Sequence, residues 1–109
     1  MRTAPSLAGA GILLAALLPA GTSLADGEPA AGKRKAIEWC ARCHVIGEHN
    51  RYGGINSTPS FYIMSEKPES YRVRVLSVQE RRPHRAMALD LKNEDLDDIL
   101  AYIMTLKRP

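Results

Sequence analysis

The chain has 109 residues, enough for one small domain. Its 45% hydrophobic and 25% charged content excludes a disordered polymer. A net charge of +3, made of 15 basic and 12 acidic side chains, is too evenly balanced for a dedicated nucleic-acid binder.

In chain order, the first element is an apolar run from Leu7 to Leu18, preceded by Arg2 and broken by Pro19 and Gly21. Ser23-Leu24-Ala25 then places small residues where a signal peptidase reads. The run is shorter than the roughly 20 residues needed to cross a bilayer. Residues 1–25 are therefore expected to be a cleaved signal peptide. Residues 26–109 then form one exported, periplasmic domain that starts at Asp26 and has no membrane span left after cleavage. Removing 25 of 109 residues leaves 84, and loss of Arg2 lowers the charge from +3 to +2. A chain of that size needs a staple to supplement its core.

A first helix is expected from about Glu28 to Cys43, with Pro29 in its first turn and Ala36, Cys40 and Cys43 at helical spacing. Residues 45–60 hold Gly47, Asn50, Gly53, Gly54, Asn56, Ser57 and Pro59 and predict a long loop. Loops of that length are usually functional or wrapped around something. Pro68 to Gln79 carries two periods: Tyr71, Val73 and Val75 alternate as in a strand, whereas Tyr71, Val75 and Val78 share a helical face. Leu96, Ile99, Leu100, Ile103 and Met104 predict a final amphipathic helix. Asn93 is its expected N-cap, and Glu94, Asp95, Asp97 and Asp98 sit at the positive end of its dipole.

Charge is segregated. Six basic and two acidic residues lie between Lys67 and Arg85, followed by five acidic and one basic between Asp90 and Asp98. Two solvated faces would explain this, and so would a basic docking patch of Arg72, Arg74, Arg81, Arg82 and Arg85 that steers an acidic partner.

The two cysteines lie three positions apart and are followed directly by a histidine: Cys40-Ala41-Arg42-Cys43-His44. This is the haem c attachment pattern. Thiols one helical turn apart can reach the two vinyl groups of one haem edge and become thioethers, and the next residue brings its imidazole beneath the iron. A disulfide over so short a loop would restrain the unfolded chain very little. A redox dithiol would need a βαβ context, which is not visible. A zinc site could recruit the two cysteines and two of His44, His49 and His84. A covalent haem also supplies the apolar mass that an 84-residue domain lacks. The sixth iron ligand must come from Met64, Met87, Met104, His49 or His84. Met64 and Met104 fall in apolar runs and read as packing, and His49 is a loop histidine. Met87 sits in a loop after Pro83, between two alanines, and is the favoured ligand.

Further segments resemble those of class I c-type cytochromes, the small monohaem bacterial kind, over residues 30–106. Gly32 stands eight residues before Cys40, where that family has a glycine at a close crossing of its first and last helices. Thr58-Pro59-Ser60-Phe61 resembles the segment whose carbonyl holds the ligating imidazole. Pro83-His84-Arg85-Ala86-Met87 resembles the segment that presents the methionine ligand, and Leu100-Ala101-Tyr102-Ile103 the aromatic turn of the last helix. Arg85 and Ala86 depart from the family's two prolines, and Val45 and Ile46 from its glycine. The resemblance implies an all-α cytochrome c fold, with three to four helices around one covalent haem, and so favours a helix over Pro68–Gln79. It implies Cys40, Cys43 and His44 as haem-binding residues, His44 and Met87 as iron ligands, and the Pro59 carbonyl as the partner of His44. Trp39, Tyr52 and Arg51 are candidate propionate partners.

The expected function is electron transfer between redox partner proteins, with no catalysis of its own. The competing classes are a haem subunit of a periplasmic dehydrogenase or oxidase complex, and a haem sensor with a labile sixth ligand.

Overall fold

Pro29 opens the first helix, α1 (Pro29–Trp39), where its missing N–H costs nothing, and the Glu28 carboxylate accepts the Ala30 N–H at 3.4 Å. Residues 27–109 of the computed structural model are described throughout, together with positions 3–6, 9, 11 and 16. Most of the expected signal peptide, and its cleavage before Asp26, lie outside the described residues.

Helix α1 is shorter than its periodicity predicts, ending at Trp39 rather than Cys43. The N–H groups of Cys40 and Ala41 both turn back to the Ala36 carbonyl, at 2.8 and 2.9 Å, and those of Cys43 and His44 close on Cys40. The Asn50 side-chain amide donates to the Ala41 carbonyl at 3.0 Å, satisfying one of the carbonyls that the helix end leaves free. The cysteine pair therefore stands on a tight turn at the helix end.

The long loop is present, interrupted only by a 3-10 turn at Glu48–Asn50. It leads into a helix that periodicity did not predict, α2 (Phe61–Glu66). Ser60 caps it, its hydroxyl accepting the Ile63 N–H at 3.3 Å, and Phe61, Tyr62 and Met64 are buried. The ambiguous segment is helix α3 (Pro68–Leu76), followed by a 3-10 turn at Val78–Glu80. The helical period decides it: Val75 is buried while Val73, its partner in the strand pattern, is 64% exposed.

The last helix, α4 (Asn93–Thr105), is capped one residue earlier than expected. Lys92 is the N-cap, its N–H donating to the Asp95 carboxylate at 2.8 Å, and Asn93 is the first helical residue. Leu96, Ile99, Leu100 and Ile103 are buried as their spacing requires, but Met104 is 41% exposed, on the rim rather than in the core.

Helix α4 is the hub against which α1, α2 and α3 pack. Its crossing with α1 is the closest approach. A Cβ placed on Gly32 would lie 1.9 Å from the Asp98 carbonyl oxygen, so only glycine fits. The Asp98 carboxylate locks the same junction, accepting the Glu28 N–H at 2.7 Å. The described residues are all-α, with no strand, and none of their helices is long and apolar enough to cross a membrane.

Gly32→Ala forces two backbones apart at this junction. It should cost at least about 1–3 kcal/mol, read as a lower denaturant midpoint at unchanged slope. Lys33→Ala, one residue along on the exposed side, should stay within about 0.5 kcal/mol of wild type.

Candidate functional site

The core surrounds a cavity of about 460 Å³ whose wall includes Cys40, Cys43 and His44. That volume lies within the roughly 300–1,000 Å³ range of cofactor pockets. Phe61, Met64, Val75, Leu96, Ile99 and Ile103 supply an apolar lining from α2, α3 and α4.

His44 is buried, and its Nδ1 lies 2.7 Å from the Pro59 carbonyl oxygen. A carbonyl only accepts, so Nδ1 carries the proton and Nε2 keeps a free lone pair. This is the tautomer a metal-ligating imidazole needs, fixed by its outer partner. The Phe61 N–H donates to the Val45 carbonyl at 2.8 Å, tying the Pro59 segment to the motif turn.

Asn50 holds that turn together, a role sequence reasoning missed by treating it as a generic turn former. Its Oδ1 accepts the Ile46 N–H at 2.7 Å, and its Nδ2 donates to the His44 carbonyl at 2.7 Å as well as to that of Ala41. Ile46 is fully buried and its carbonyl accepts the Tyr102 hydroxyl at 2.8 Å. The loop is thereby fastened to α4 through the aromatic residue that the sequence places in the final helix.

Burial pushes the Cys40 thiol up to about 12, with the neighbouring Cys43 adding to the shift. A redox dithiol requires a lowered thiol pKa instead. Among the described residues no three His, Cys, Asp or Glu side chains converge as a metal-ion cluster.

Opposite His44 the wall is formed by a 3-10 turn, His84–Met87. Met87 reaches the cavity and is 43% exposed. His84 faces it too: its ring is nearly parallel to that of His44, at 12°, with centres 6.0 Å apart. Burial, and then the His44 ring, hold His84 below the ordinary histidine pKa. Met64 is a core residue, and His49 is exposed.

Of the three candidate propionate partners, only Trp39 lines the cavity, and its indole N–H is buried with no acceptor. Tyr52 is 94% exposed and Arg51 pairs with Glu48 at 3.7 Å; both border a separate hollow formed by the 48–53 loop. The cations at the cavity wall are instead Arg74, Arg81 and Arg82. No family model, curated protein or solved structure matches the chain.

Asn50→Ala removes three hydrogen bonds, two of them to carbonyls inside the motif turn. It should destabilise the protein by about 2–4 kcal/mol, measured by denaturant unfolding.

Proposed function

We propose that the chain is a periplasmic electron-transfer protein of the c-type cytochrome kind. In this reading Cys40 and Cys43 would hold one haem, and His44 and Met87 would ligate its iron. The observation that carries the reading is the hydrogen bond from His44 Nδ1 to the Pro59 carbonyl, which directs an unprotonated Nε2 into a cavity walled by both cysteines. When bound, the haem supplies a one-electron ferric/ferrous couple whose potential a thioether ligand raises.

The residues suit that group in three further respects. The apolar part of the lining suits a porphyrin's faces. The acceptorless Trp39 N–H and the guanidinium groups of Arg74, Arg81 and Arg82 suit its propionate carboxylates. Burial, with Cys43 beside it, pushes the Cys40 thiol up to about 12, which disfavours dithiol exchange.

Arg72, Arg74, Arg81, Arg82 and Arg85 are all exposed, and none makes an ion pair among the described residues. We assign them to docking an acidic redox partner at the cavity mouth. The acidic residues that follow have local work: Asp95 caps α4 and pairs with Lys35 at 3.7 Å, and Asp98 closes the α1–α4 junction.

Protein from a haem-c-maturing host should retain its haem after denaturation and show a weak methionine-to-iron charge-transfer band that Met87→Ala abolishes. Cys40→Ser/Cys43→Ser should hold no covalent haem. A wild type without covalent haem would defeat the proposal.

Electrostatic steering makes a second prediction. Oxidation of the reduced protein by ferricyanide, an anion, should slow as salt rises. Arg72→Glu/Arg85→Glu should lower its low-salt rate constant by about tenfold and flatten the salt dependence.

A further inference from the structure

The turn that presents Met87 also presents a second group able to bind iron. In a 3-10 helix, side chains at i and i+3 eclipse one another. His84 and Met87 stand at that spacing in the His84–Met87 turn, and both line the cavity opposite His44. The turn is held by the Arg85 N–H on the Arg81 carbonyl at 2.8 Å and the Ala86 N–H on the Pro83 carbonyl at 3.0 Å. An imidazole and a thioether thus share one face of one short turn.

The imidazole also lies close to His44. Two imidazoles bound on opposite sides of one metal, each at about 2 Å, have ring centres about 6 Å apart. The rings of His44 and His84 are stacked, with centres 6.0 Å apart and planes within 12° of parallel, so the separation suits a shared metal once the rings turn edge-on to it. His84 Nδ1 is also buried without a hydrogen-bond partner. A buried, unpaired ring nitrogen is costly unless something else satisfies it. Met87, by contrast, is among the exposed large hydrophobic residues.

We infer that His84 is a second distal ligand, able to bind the haem iron opposite His44 in place of Met87. This rests on the haem reading above. The distal position takes one ligand at a time, so the two side chains compete for it, and exchange needs only a rotation or slide of the turn. Replacing thioether by imidazole lowers the reduction potential. The same protein would then have a higher-potential and a lower-potential form.

The test compares four proteins from a haem-c-maturing host: wild type, His84→Ala, Met87→Ala and the double variant. Optical and electron paramagnetic resonance spectra report spin state and axial ligands. Met87→Ala should remain six-coordinate and low-spin, with the signature of two nitrogen ligands and a lower potential than wild type. The double variant should become high-spin and regain a low-spin spectrum when free imidazole is added, which shows that its pocket is intact. A wild type already carrying two nitrogen ligands, lost in His84→Ala, would support the inference more strongly.

A high-spin Met87→Ala overturns it, and so does a double variant that stays low-spin without added imidazole. Covalent haem is measured separately, as the pyridine haemochrome of denatured protein. Its absence defeats the proposed function itself, whereas covalent haem with a high-spin Met87→Ala defeats only this inference.

Discussion

The α1–α4 crossing at Gly32 is the constraint from which the site follows. With no side chain at Gly32, the backbone of α1 reaches the Asp98 carbonyl of α4. That contact sets where α1 ends relative to α4, and hence where Cys40, Cys43 and His44 stand relative to Leu96, Ile99 and Ile103. One side of the cavity is the end of α1 and the other is the face of α4. A wider crossing would draw the two walls apart, and no rearrangement of side chains would restore both the core packing and the site. Asp98 serves the junction through its carbonyl and, by accepting the Glu28 N–H, through its carboxylate. This carboxylate belongs to the acidic run that charge patterning alone reads as a solvated face.

Features with strong local signals were legible in the sequence. Residues Asn93–Thr105 keep their apolar positions at helical spacing over more than three turns, so the helix and its buried face could be read directly. The Cys40-to-His44 pattern stands out by its spacing, and its three residues line one cavity. The His44–Pro59 pairing came from resemblance, and the 2.7 Å contact agrees with it. Less was legible where a tertiary partner overrides a local pattern. Helix α1 stops short where the N–H groups of Cys40 and Ala41 share the Ala36 carbonyl and Asn50, nine residues beyond Ala41, satisfies the Ala41 carbonyl. Helix α2 has six residues, too few for periodicity to separate it from an apolar stretch of any kind. Arg51 and Tyr52 look suited to carboxylates by type, but their loop turns them away from the cavity, and Arg74, Arg81 and Arg82 reach its wall from more distant positions.

The two sides of the site are held very differently. On the His44 side, the ring is fixed by Pro59, its carbonyl by Asn50, the Asn50 side chain by Ile46 and Ala41, and the Ile46 carbonyl by Tyr102. Each link uses a buried or partly buried polar group, where an unmade hydrogen bond is expensive. The imidazole therefore has one tautomer and one orientation.

The opposite side relies on fewer and more local restraints. Two backbone hydrogen bonds shape the His84–Met87 turn, and the Gln79 side chain reaches the Leu91 carbonyl beyond it. Ala88 leaves the turn with φ of 47°, a left-handed backbone that an alanine adopts at a cost. Most residues from Arg81 to Asp90 are exposed, so little packing energy selects one arrangement of this segment over a near neighbour. A site with one over-determined ligand and one loosely restrained segment can keep its cofactor position while changing the group opposite. In the proposed haem protein the His44 side would set where the iron sits, and the choice between His84 and Met87 would set the potential.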